Sequence, residues 1–279
     1  ETKKSMYMLL NFVVTYFSII AMLNDNDLDI NDGLIEKLIR SVNVVDADYY
    51  IRYIVNSRIL SNKKLYDKFK PMLEKSNMTL MFGNTAVHRR NQISKLLQFD
   101  RGIVDIGCGE GFYAIPFAEK LLKVDPTLKY HAVDINENEL SIVRKKAKDK
   151  QLNNITLTNS HEKLSEHIDD SLTYDIIITE VIEHMDKEQS QEIIRWIMNN
   201  VNYNKIIITT PNADFNIYYH LNGKTRHPDH KWELTANEFD DYISNTLNGH
   251  DGFHLVRLQV GDIVDGISCS SGVMIQKKN

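Results

Sequence analysis

Cysteine is scarce in this sequence: the 279 residues contain only Cys108 and Cys269, and their spacing does not match a metal-binding pattern. A site built on several cysteine ligands is therefore not expected. So low a cysteine content is typical of a reducing compartment, which predicts a cytoplasmic location. An excess of positive charge is also absent, since the net charge is −5. A nucleic-acid substrate would then need a local basic patch rather than an overall basic surface.

Long apolar runs are equally scarce. The single long stretch, residues 7–23, is interrupted by Asn11, Thr15 and Ser18, and it is shorter than the ~20 apolar residues that a membrane span needs. No small-residue cleavage site follows it, so a secretory signal peptide is not indicated. We interpret the stretch as a buried helix and expect no membrane association. Because the chain begins with Glu1 rather than Met, it could be cut from a longer protein.

The pattern of apolar residues changes near residue 81. Residues 1–80 are expected to form an all-helical region, and residues 81–279 alternate between strand and helix and form the expected second domain. Strands are expected at residues 102–106, 130–135, 155–158, 174–179, 205–210, 253–260 and 270–276. Helices are expected at residues 112–123, 137–150, 188–200 and 235–247. This alternation predicts an α/β fold with a doubly wound parallel sheet.

Glycine is also uncommon, with 12 residues in the chain, yet Gly107, Gly109 and Gly111 all fall at the first strand-to-helix turn. Glycines at such a turn allow the backbone to bend sharply and to approach a ligand closely. Asp105 precedes the turn and Glu110 lies within it. An acid at this place repels a pyrophosphate but can pair with the ammonium group of S-adenosylmethionine. The turn therefore favours that cofactor over a dinucleotide.

Asp134 ends the second strand, where a carboxylate can accept hydrogen bonds from both hydroxyls of a cofactor ribose. Ser160 and His161 follow the third strand and are expected to flank the adenine. Together, the glycine-rich turn and the strand-end acid resemble the class I S-adenosylmethionine-dependent methyltransferases over residues 85–279. The resemblance implies a doubly wound, seven-stranded, Rossmann-like sheet. Taken singly, each of these residues could equally serve a tight turn or a helix cap.

Two carboxylates and an imidazole follow the fourth strand as Glu180, Glu183 and His184. Spacings of three and four residues would place them on one side of a helical turn, and oxygen and nitrogen donors of this kind suit a divalent cation. His227 and His230, in a second stretch, could complete the same site from a distance. The competing interpretation is a solvated loop or a helix N-terminus, where the helix dipole favours glutamate.

Three blocks of polar residues, 180–184, 210–216 and 226–233, occur in an order that resembles the HUA-enhancer-type small-RNA methyltransferases, which lie within class I. Members of that family methylate the 2′-hydroxyl of the 3′-terminal ribose of RNA. Bacterial relatives carry extra N-terminal regions and serve RNA repair beside an end-healing kinase-phosphatase and a ligase, whereas plant and animal relatives act on silencing RNAs. Asp214 and Trp232 depart from the residues that are more usual at their positions.

The resemblance implies an enzyme that methylates the 3′ end of RNA with S-adenosylmethionine and Mg²⁺ or Mn²⁺, in RNA repair or small-RNA end protection. The implied cation ligands, which would also be the catalytic residues, are Glu180, Glu183, His184 and His230. The residues implied to line the terminal nucleotide are Asn212 and Arg226. The implied partners are the RNA 3′ end and a kinase-phosphatase and ligase, with no membrane.

Two other functions remain open at this point. A metal-dependent O-methyltransferase of a small diol, such as a catechol or a sugar, would share the cofactor and the cation, and the acidic net charge mildly favours it. A non-catalytic methyltransferase-like module that binds RNA or a partner protein would not need an intact site. Asp105, Asp134 and the four implied ligands are all present, which argues against this last alternative.

Overall fold

The computed structural model describes residues 85–219, 225–264 and 266–278. The helical region expected at residues 1–80 lies outside these residues. Among the helices in the described ranges, none is both long enough and apolar enough to cross a membrane.

Seven strands of the described chain form one sheet. They are β1 (Gly102–Ile106), β2 (Tyr130–Val133), β3 (Ile155–Thr158), β4 (Tyr174–Thr179), β5 (Tyr203–Pro211), β6 (Phe253–Val264) and β7 (Ile267–Lys277). Their order across the sheet is β3-β2-β1-β4-β5-β7-β6. Strands β1 to β5 run parallel, whereas β7 pairs antiparallel with both β5 and β6. The expected doubly wound, seven-stranded sheet is confirmed.

Five α-helices accompany the sheet in the described ranges. They are α1 (Thr85–Leu96), α2 (Ala114–Val124), α3 (Glu137–Asp149), α4 (Lys187–Asn200) and α5 (Ala236–Thr246). A capping box formed by Thr235 and Glu238 starts α5. The backbone N–H and the hydroxyl of Thr235 donate to the Glu238 carboxylate at 2.9 and 2.8 Å, and the Glu238 N–H donates to the Thr235 hydroxyl at 3.3 Å. These contacts satisfy donors that a helix start otherwise leaves unpaired.

Several strand ends differ from the sequence prediction. Strand β2 ends at Val133 rather than at residue 135, because the Asp134 carboxylate accepts the backbone N–H of Asn136 at 2.9 Å and forms a turn there. Strand β6 continues past residue 260, where the sequence prediction ended it. Its ladder with β7 shifts register between Val260 and Ile263 and then resumes to Val264. A register shift of this kind is invisible to a period-two pattern, because it breaks the alternation without ending the strand.

The two faces of the sheet are covered by separate sets of apolar side chains. Along β4, Ile176 and Ile178 belong to the cluster that contains Phe239 of α5, whereas Ile177 belongs to the cluster that contains Phe117 of α2. A strand buried on both faces reads as a continuous apolar run, as observed. Burying each of these side chains contributes about 2 kcal/mol, so the carboxyl end of β4 is a well-fixed platform for the residues that follow it.

Candidate active site

The carboxyl ends of three neighbouring strands carry the predicted site. Strand β4 pairs with β1 on one side and with β5 on the other, so the segments that follow these strands meet at one edge of the sheet. The glycine-rich turn follows β1, block 180–184 follows β4 and block 210–216 begins at the end of β5. Ligands of doubly wound sheets bind at this edge, where the strand order reverses.

The glycine-rich turn packs directly against the block that follows β4. A Cβ atom at Gly107, whose φ is +72°, would lie 2.4 Å from Cγ2 of Val181. At Gly109, whose φ is +50°, a Cβ atom would have no described atom within 4 Å. Residue 107 is therefore a glycine because of its neighbour in the protein. Residue 109 borders open space, as a ligand-binding turn requires.

Asp105 lies fully buried beneath this turn. One carboxylate oxygen accepts a hydrogen bond from the Tyr130 hydroxyl at 2.7 Å, and the other, Oδ1, has no partner among the described residues. Burial raises the pKa of Asp105 to about 7, although the Tyr130 hydrogen bond acts in the opposite direction. A buried carboxylate oxygen without a partner is unfavourable, and an ammonium group or a bound water would satisfy it.

Asp105 is expected to make the unfolding free energy fall as pH rises. Its folded pKa lies above its unfolded value, so between about pH 4 and pH 7 the folded state holds a proton that the unfolded state has lost. The resulting stability is lost as pH rises through the folded pKa. Asp105→Asn removes this contribution, so urea unfolding at pH 5 and pH 8 should show a smaller difference in the variant than in the wild type. An unchanged difference would contradict the assignment.

Asp134 stands at the end of β2, as expected. Its Oδ2 accepts the backbone N–H of Gly109 at 2.8 Å, so the carboxylate also fixes the open part of the glycine-rich turn. The next residue, Ile135, is 89% exposed and presents an apolar surface beside the carboxylate. An apolar side chain next to a hydroxyl-binding acid suits a nucleoside. The sequence analysis did not single out Ile135, although an apolar residue directly after the strand-end acid is visible in the sequence.

The remaining cofactor candidates, Ser160, His161 and Glu110, contact other residues of the protein. The Ser160 hydroxyl accepts the backbone N–H of Glu162 at 3.2 Å, and the ring of His161 lies edge-on to Trp196 of α4, with 5.0 Å between the ring centroids. The side chain of Glu110 is 61% exposed and pairs with Lys146 of α3 at 3.2 Å, a contact that the sequence did not predict.

Three of the four expected cation ligands come together. One donor atom each from Glu183, His184 and His230 lies within 4.8 Å of the others. Glu183 is fully buried. Its Oε2 accepts the hydroxyl of Thr210 at 2.9 Å, whereas its Oε1 has no partner in the described part of the chain. Burial and the neighbouring charge of Glu180 hold the pKa of Glu183 well above its ordinary value. A buried carboxylate with one unpartnered oxygen, grouped with two imidazoles, fits a divalent cation.

His230 is oriented by a carboxylate that the sequence reasoning missed. Its Nδ1 lies 2.6 Å from Oε1 of Glu233, so in the neutral ring Nδ1 carries the proton and Nε2 keeps its lone pair for a cation. Glu233 is held in turn by the side chain of Asn216 at 2.5 Å and by the backbone N–H of Arg226 at 2.7 Å. Burial raises the pKa of Glu233, but these hydrogen bonds outweigh it and the net pKa is lowered.

Replacing Glu233 by glutamine is expected to weaken Mn²⁺ binding by about tenfold, because the His230 ring loses the charged acceptor that fixes its orientation. Titration calorimetry with Mn²⁺ measures this effect. Glu188→Gln, which removes the same charge from an exposed position on α4, is the matched control and should bind Mn²⁺ like the wild type. Equal affinities for the wild type and Glu233→Gln would show that Glu233 does not support a cation ligand.

Glu180 lies outside the helical turn that it was expected to share with Glu183 and His184. The helical turn comprises only Ile182–His184, and Glu180 precedes it with a φ of +55°. Its carboxylate accepts the hydroxyls of Thr209 and Ser270 at 2.9 and 3.1 Å and pairs with Arg89 at 3.0 Å. A left-handed residue breaks the helical spacing between positions 180 and 183, so the three side chains do not share one side of a turn.

Asn212, which the family resemblance implies to be a substrate-lining residue, makes hydrogen bonds to the protein with both ends of its side chain. It is buried, its side-chain amide donates to the carbonyl of Ser268 at 3.0 Å, and its side-chain oxygen accepts the backbone N–H of Asp214 at 3.0 Å. Asp214, one of the two unusual residues of the motif blocks, accepts the first backbone N–H of α5 from Ala236 at 3.0 Å. Both side chains therefore fix the backbone of this loop.

Arg226 likewise binds protein groups rather than an open space. Its guanidinium donates to the side chain of Asn216 at 2.6 Å, to the carbonyl of Cys269 at 2.7 Å and to the carbonyl of Asn212. It therefore ties together the segments after β5, before α5 and along β7. The second unusual residue, Trp232, donates its indole N–H to the carbonyl of Met185 at 2.8 Å. Arg226 thus fixes the segments that surround the site, and its role at a terminal nucleotide stays a prediction.

Comparisons with known proteins agree with this architecture. The family model described as "Hen1 N-terminal domain" matches residues 1–78, and the model described as "Methyltransferase domain" matches residues 103–202. The small RNA 2′-O-methyltransferase of Rattus norvegicus is 29% identical over 156 residues, covering 52% of this chain and 38% of that protein. The Xenopus tropicalis protein of the same name is 35% identical over 74 residues, covering 26% and 20%. The chain thus matches well under half the length of these relatives.

Two solved structures show the same fold. A chain of the Pnkp1/Rnl/Hen1 RNA repair complex is 24% identical with a TM-score of 0.59, covering 96% of this chain and 61% of that chain. The methyltransferase domain of the bacterial protein CtHen1-C is 24% identical with a TM-score of 0.55, covering 70% of this chain and all of that domain. This chain therefore resembles Hen1 proteins in its N-terminal part and matches a methyltransferase domain in the part that follows.

Proposed function

We propose that this protein transfers a methyl group from S-adenosylmethionine to the 2′-hydroxyl of the 3′-terminal ribose of RNA, with Mg²⁺ or Mn²⁺ bound in its active site. The observation that carries the proposal is the fully buried carboxylate of Glu183. One of its oxygens lacks a partner among the described residues, and it offers a donor atom within 4.8 Å of donor atoms of His184 and His230. This cluster adjoins the glycine-rich turn, because Gly107 packs against Val181. A cation site beside a methyl-donor site is what the reaction requires.

The cofactor would lie along the turn after β1. We assign its binding to the residues Asp105, Gly107, Gly109, Asp134, Ser160 and His161. Asp105, whose buried Oδ1 has no partner among the described residues, is better placed than Glu110 to receive an ammonium group. Gly109 leaves room for close backbone approach, and Ile135 adds an apolar surface beside the acid that would bind the ribose.

The cation would be held by Glu183, His184 and His230, with Glu180 as the fourth ligand that the family resemblance implies. When bound, Mg²⁺ or Mn²⁺ supplies Lewis acidity that lowers the pKa of a ribose hydroxyl and orients it. Burial, followed by the charges of His230 and His227, lowers the pKa of His184. His184 is therefore neutral at neutral pH, as a ligand or a proton acceptor must be.

Selection of the 3′ end would follow from the need for two neighbouring hydroxyls. In a terminal ribose, both the 2′- and the 3′-oxygen would be free to approach a cation held by these residues. An internal ribose has its 3′-oxygen bound in a phosphodiester. The proposal therefore predicts that an RNA ending in a 3′-phosphate is not methylated.

The repair setting is a second part of the proposal. Similarity to a Pnkp1/Rnl/Hen1 complex chain extends over 96% of this chain, and we propose that residues 1–80 form a separate N-terminal part beside the methyltransferase part at 81–279. A kinase-phosphatase and a ligase that heal RNA ends are the proposed partners. Co-elution of the full chain with the kinase-phosphatase of its own organism tests this role. Separate elution would remove the repair role and leave the methyl transfer untouched.

The reaction itself is tested with labelled S-adenosylmethionine and Mn²⁺. Three versions of a short RNA would end in a 2′,3′-diol, a 2′-deoxy residue or a 3′-phosphate, and catechol would represent small diols. We expect label only on the RNA with the diol. Label on catechol but not on RNA would favour the small-diol enzyme. Cofactor binding without transfer to any substrate, even in the presence of the repair partners, would favour a non-catalytic module.

A further inference from the structure

A buried arginine of α1 lies between the cofactor turn and the cation cluster, and the proposed reaction does not use it. The side chain of Arg89 is only 13% exposed, and its Nη1 lies 3.0 Å from Oε2 of Glu180. Its Nε donates to the hydroxyl of Tyr113, just after the glycine-rich turn, at 3.2 Å. Burial lowers the pKa of Arg89, but Glu180 and Tyr113 raise it, and the net pKa lies above its ordinary value.

Arg89 is held in this place by its own helix. His88 Nδ1 lies 2.7 Å from the carboxylate of Asp262 on β6, which is 1% exposed, and the side chain of Gln92 accepts the backbone N–H of Gly261 at 2.7 Å. These contacts tie α1 to β6 on both sides of Arg89. A guanidinium on an anchored helix loses little conformational freedom when it pairs with a carboxylate, so the pair with Glu180 is pre-organised.

The charges around Glu180 set up a competition. Glu180 is close enough to Glu183 to raise its pKa, so two acids share this edge of the sheet and Arg89 neutralises one of them. A divalent cation beside Glu183 would also attract the Glu180 carboxylate, yet it would repel the guanidinium that already occupies this carboxylate. The hydroxyls of Thr209 and Ser270 bind Glu180 as well, and neither of them carries a charge that opposes a cation.

We propose that Arg89 is the resting counter-ion of Glu180 and that a divalent cation competes with it for this carboxylate. The inference rests on the proposed cation site. In the absence of the cation, the ion pair with Arg89 holds the Glu180 side chain in place at the edge of the site. When the cation binds, Glu180 exchanges its guanidinium partner for the metal. Arg89 is thus a positioning residue that sets the cation affinity and is not itself a ligand.

The test is direct binding of Mn²⁺ to the whole chain in the absence of RNA and cofactor. The electron paramagnetic resonance signal of free Mn²⁺ reports how much of the ion remains unbound. Arg89→Gln removes the charge but retains a donor, and we expect it to bind Mn²⁺ about tenfold more tightly than the wild type. Arg89→Lys keeps the charge and should stay close to the wild type. Arg90→Gln is the matched control. It removes the same charge one residue along α1, where the guanidinium lies over the ring of Phe112, and we expect little change.

The double variant Arg89→Gln/Glu180→Gln establishes the route of the effect. If Arg89 acts through Glu180, Arg89→Gln should tighten Mn²⁺ binding in the wild type and have no effect when Glu180 is already glutamine. Unchanged or weaker binding in Arg89→Gln, with a native circular dichroism spectrum, would overturn the inference, as would equal tightening in Arg90→Gln. If Arg89→Gln does not fold, Arg89→Met is measured in its place. A wild type that binds no Mn²⁺ would instead overturn the proposed cation site.

Discussion

Replacing Glu183 by glutamine is expected to lower the rate of methyl transfer by at least about 100-fold while leaving the melting temperature unchanged or higher. Glu183 is fully buried and carries an oxygen that has no partner among the described residues. In the absence of a ligand this arrangement is unfavourable, because burial and Glu180 both oppose its ionisation. Glutamine keeps the size and the acceptor for Thr210 but cannot supply a charged ligand to a cation.

A loss of methyl transfer without a loss of thermal stability distinguishes a cation ligand from a residue that stabilises the fold. Methyl transfer and thermal unfolding would be measured on Glu183→Gln and on Glu192→Gln, an exposed glutamate of α4. The control should match the wild type in both assays. A Glu183→Gln variant that melts several degrees lower would indicate that the carboxylate stabilises the fold, and full activity would show that it is not a ligand.

Replacing Gly107 by alanine is expected to lower the free energy of unfolding by about 3 kcal/mol. The added Cβ would lie 2.4 Å from Val181 Cγ2, in a backbone with φ of +72°. The glycine-rich turn would have to move away from block 180–184. The proposed cofactor site and the proposed cation site would move apart as a result. Urea unfolding measures the stability, and S-adenosylhomocysteine binding measures the loop.

Gly109→Ala is the matched control for this prediction. Its φ of +50° is also left-handed, but an added Cβ meets no described atom within 4 Å. We expect it to cost only about 1 kcal/mol of stability and to weaken cofactor binding, because the new methyl group occupies the space that the ligand approaches. The account would be contradicted if Gly109→Ala destabilised the protein more than Gly107→Ala.

The sequence predicted the parallel part of the sheet well, for a physical reason. Strands β1, β3 and β4 begin and end at the predicted residues. β1 and β4 are buried along their whole length, and strands buried on both faces appear as short apolar runs with polar ends. The antiparallel edge was predicted less well. Strand β6 was predicted to end at residue 260, but it continues through a register shift to Val264.

The identities of the site residues were more predictable than their contacts. Glu183, His184 and His230 come together as expected. Glu180 is not part of this cluster, because its left-handed backbone breaks the helical spacing. A left-handed conformation at a non-glycine residue leaves no mark in the sequence. Arg226 has the residue type of a nucleotide ligand, but its partners are carbonyls distant in the chain. Arg89 lies in no motif that the sequence analysis singled out. Its pairing with Glu180, 91 residues away, could not be predicted from the sequence.

The central claim is that a divalent cation bound at Glu183, His184 and His230 directs methylation to the 2′-hydroxyl at the RNA 3′ end. Its most direct test is periodate oxidation of RNA that has been incubated with the protein, S-adenosylmethionine and either Mn²⁺ or EDTA. Periodate cleaves a terminal 2′,3′-diol and spares a ribose whose 2′-oxygen is methylated. The account predicts periodate-resistant RNA with Mn²⁺ and sensitive RNA with EDTA. Methylated RNA that stays sensitive to periodate, or equal resistance in EDTA, would contradict it.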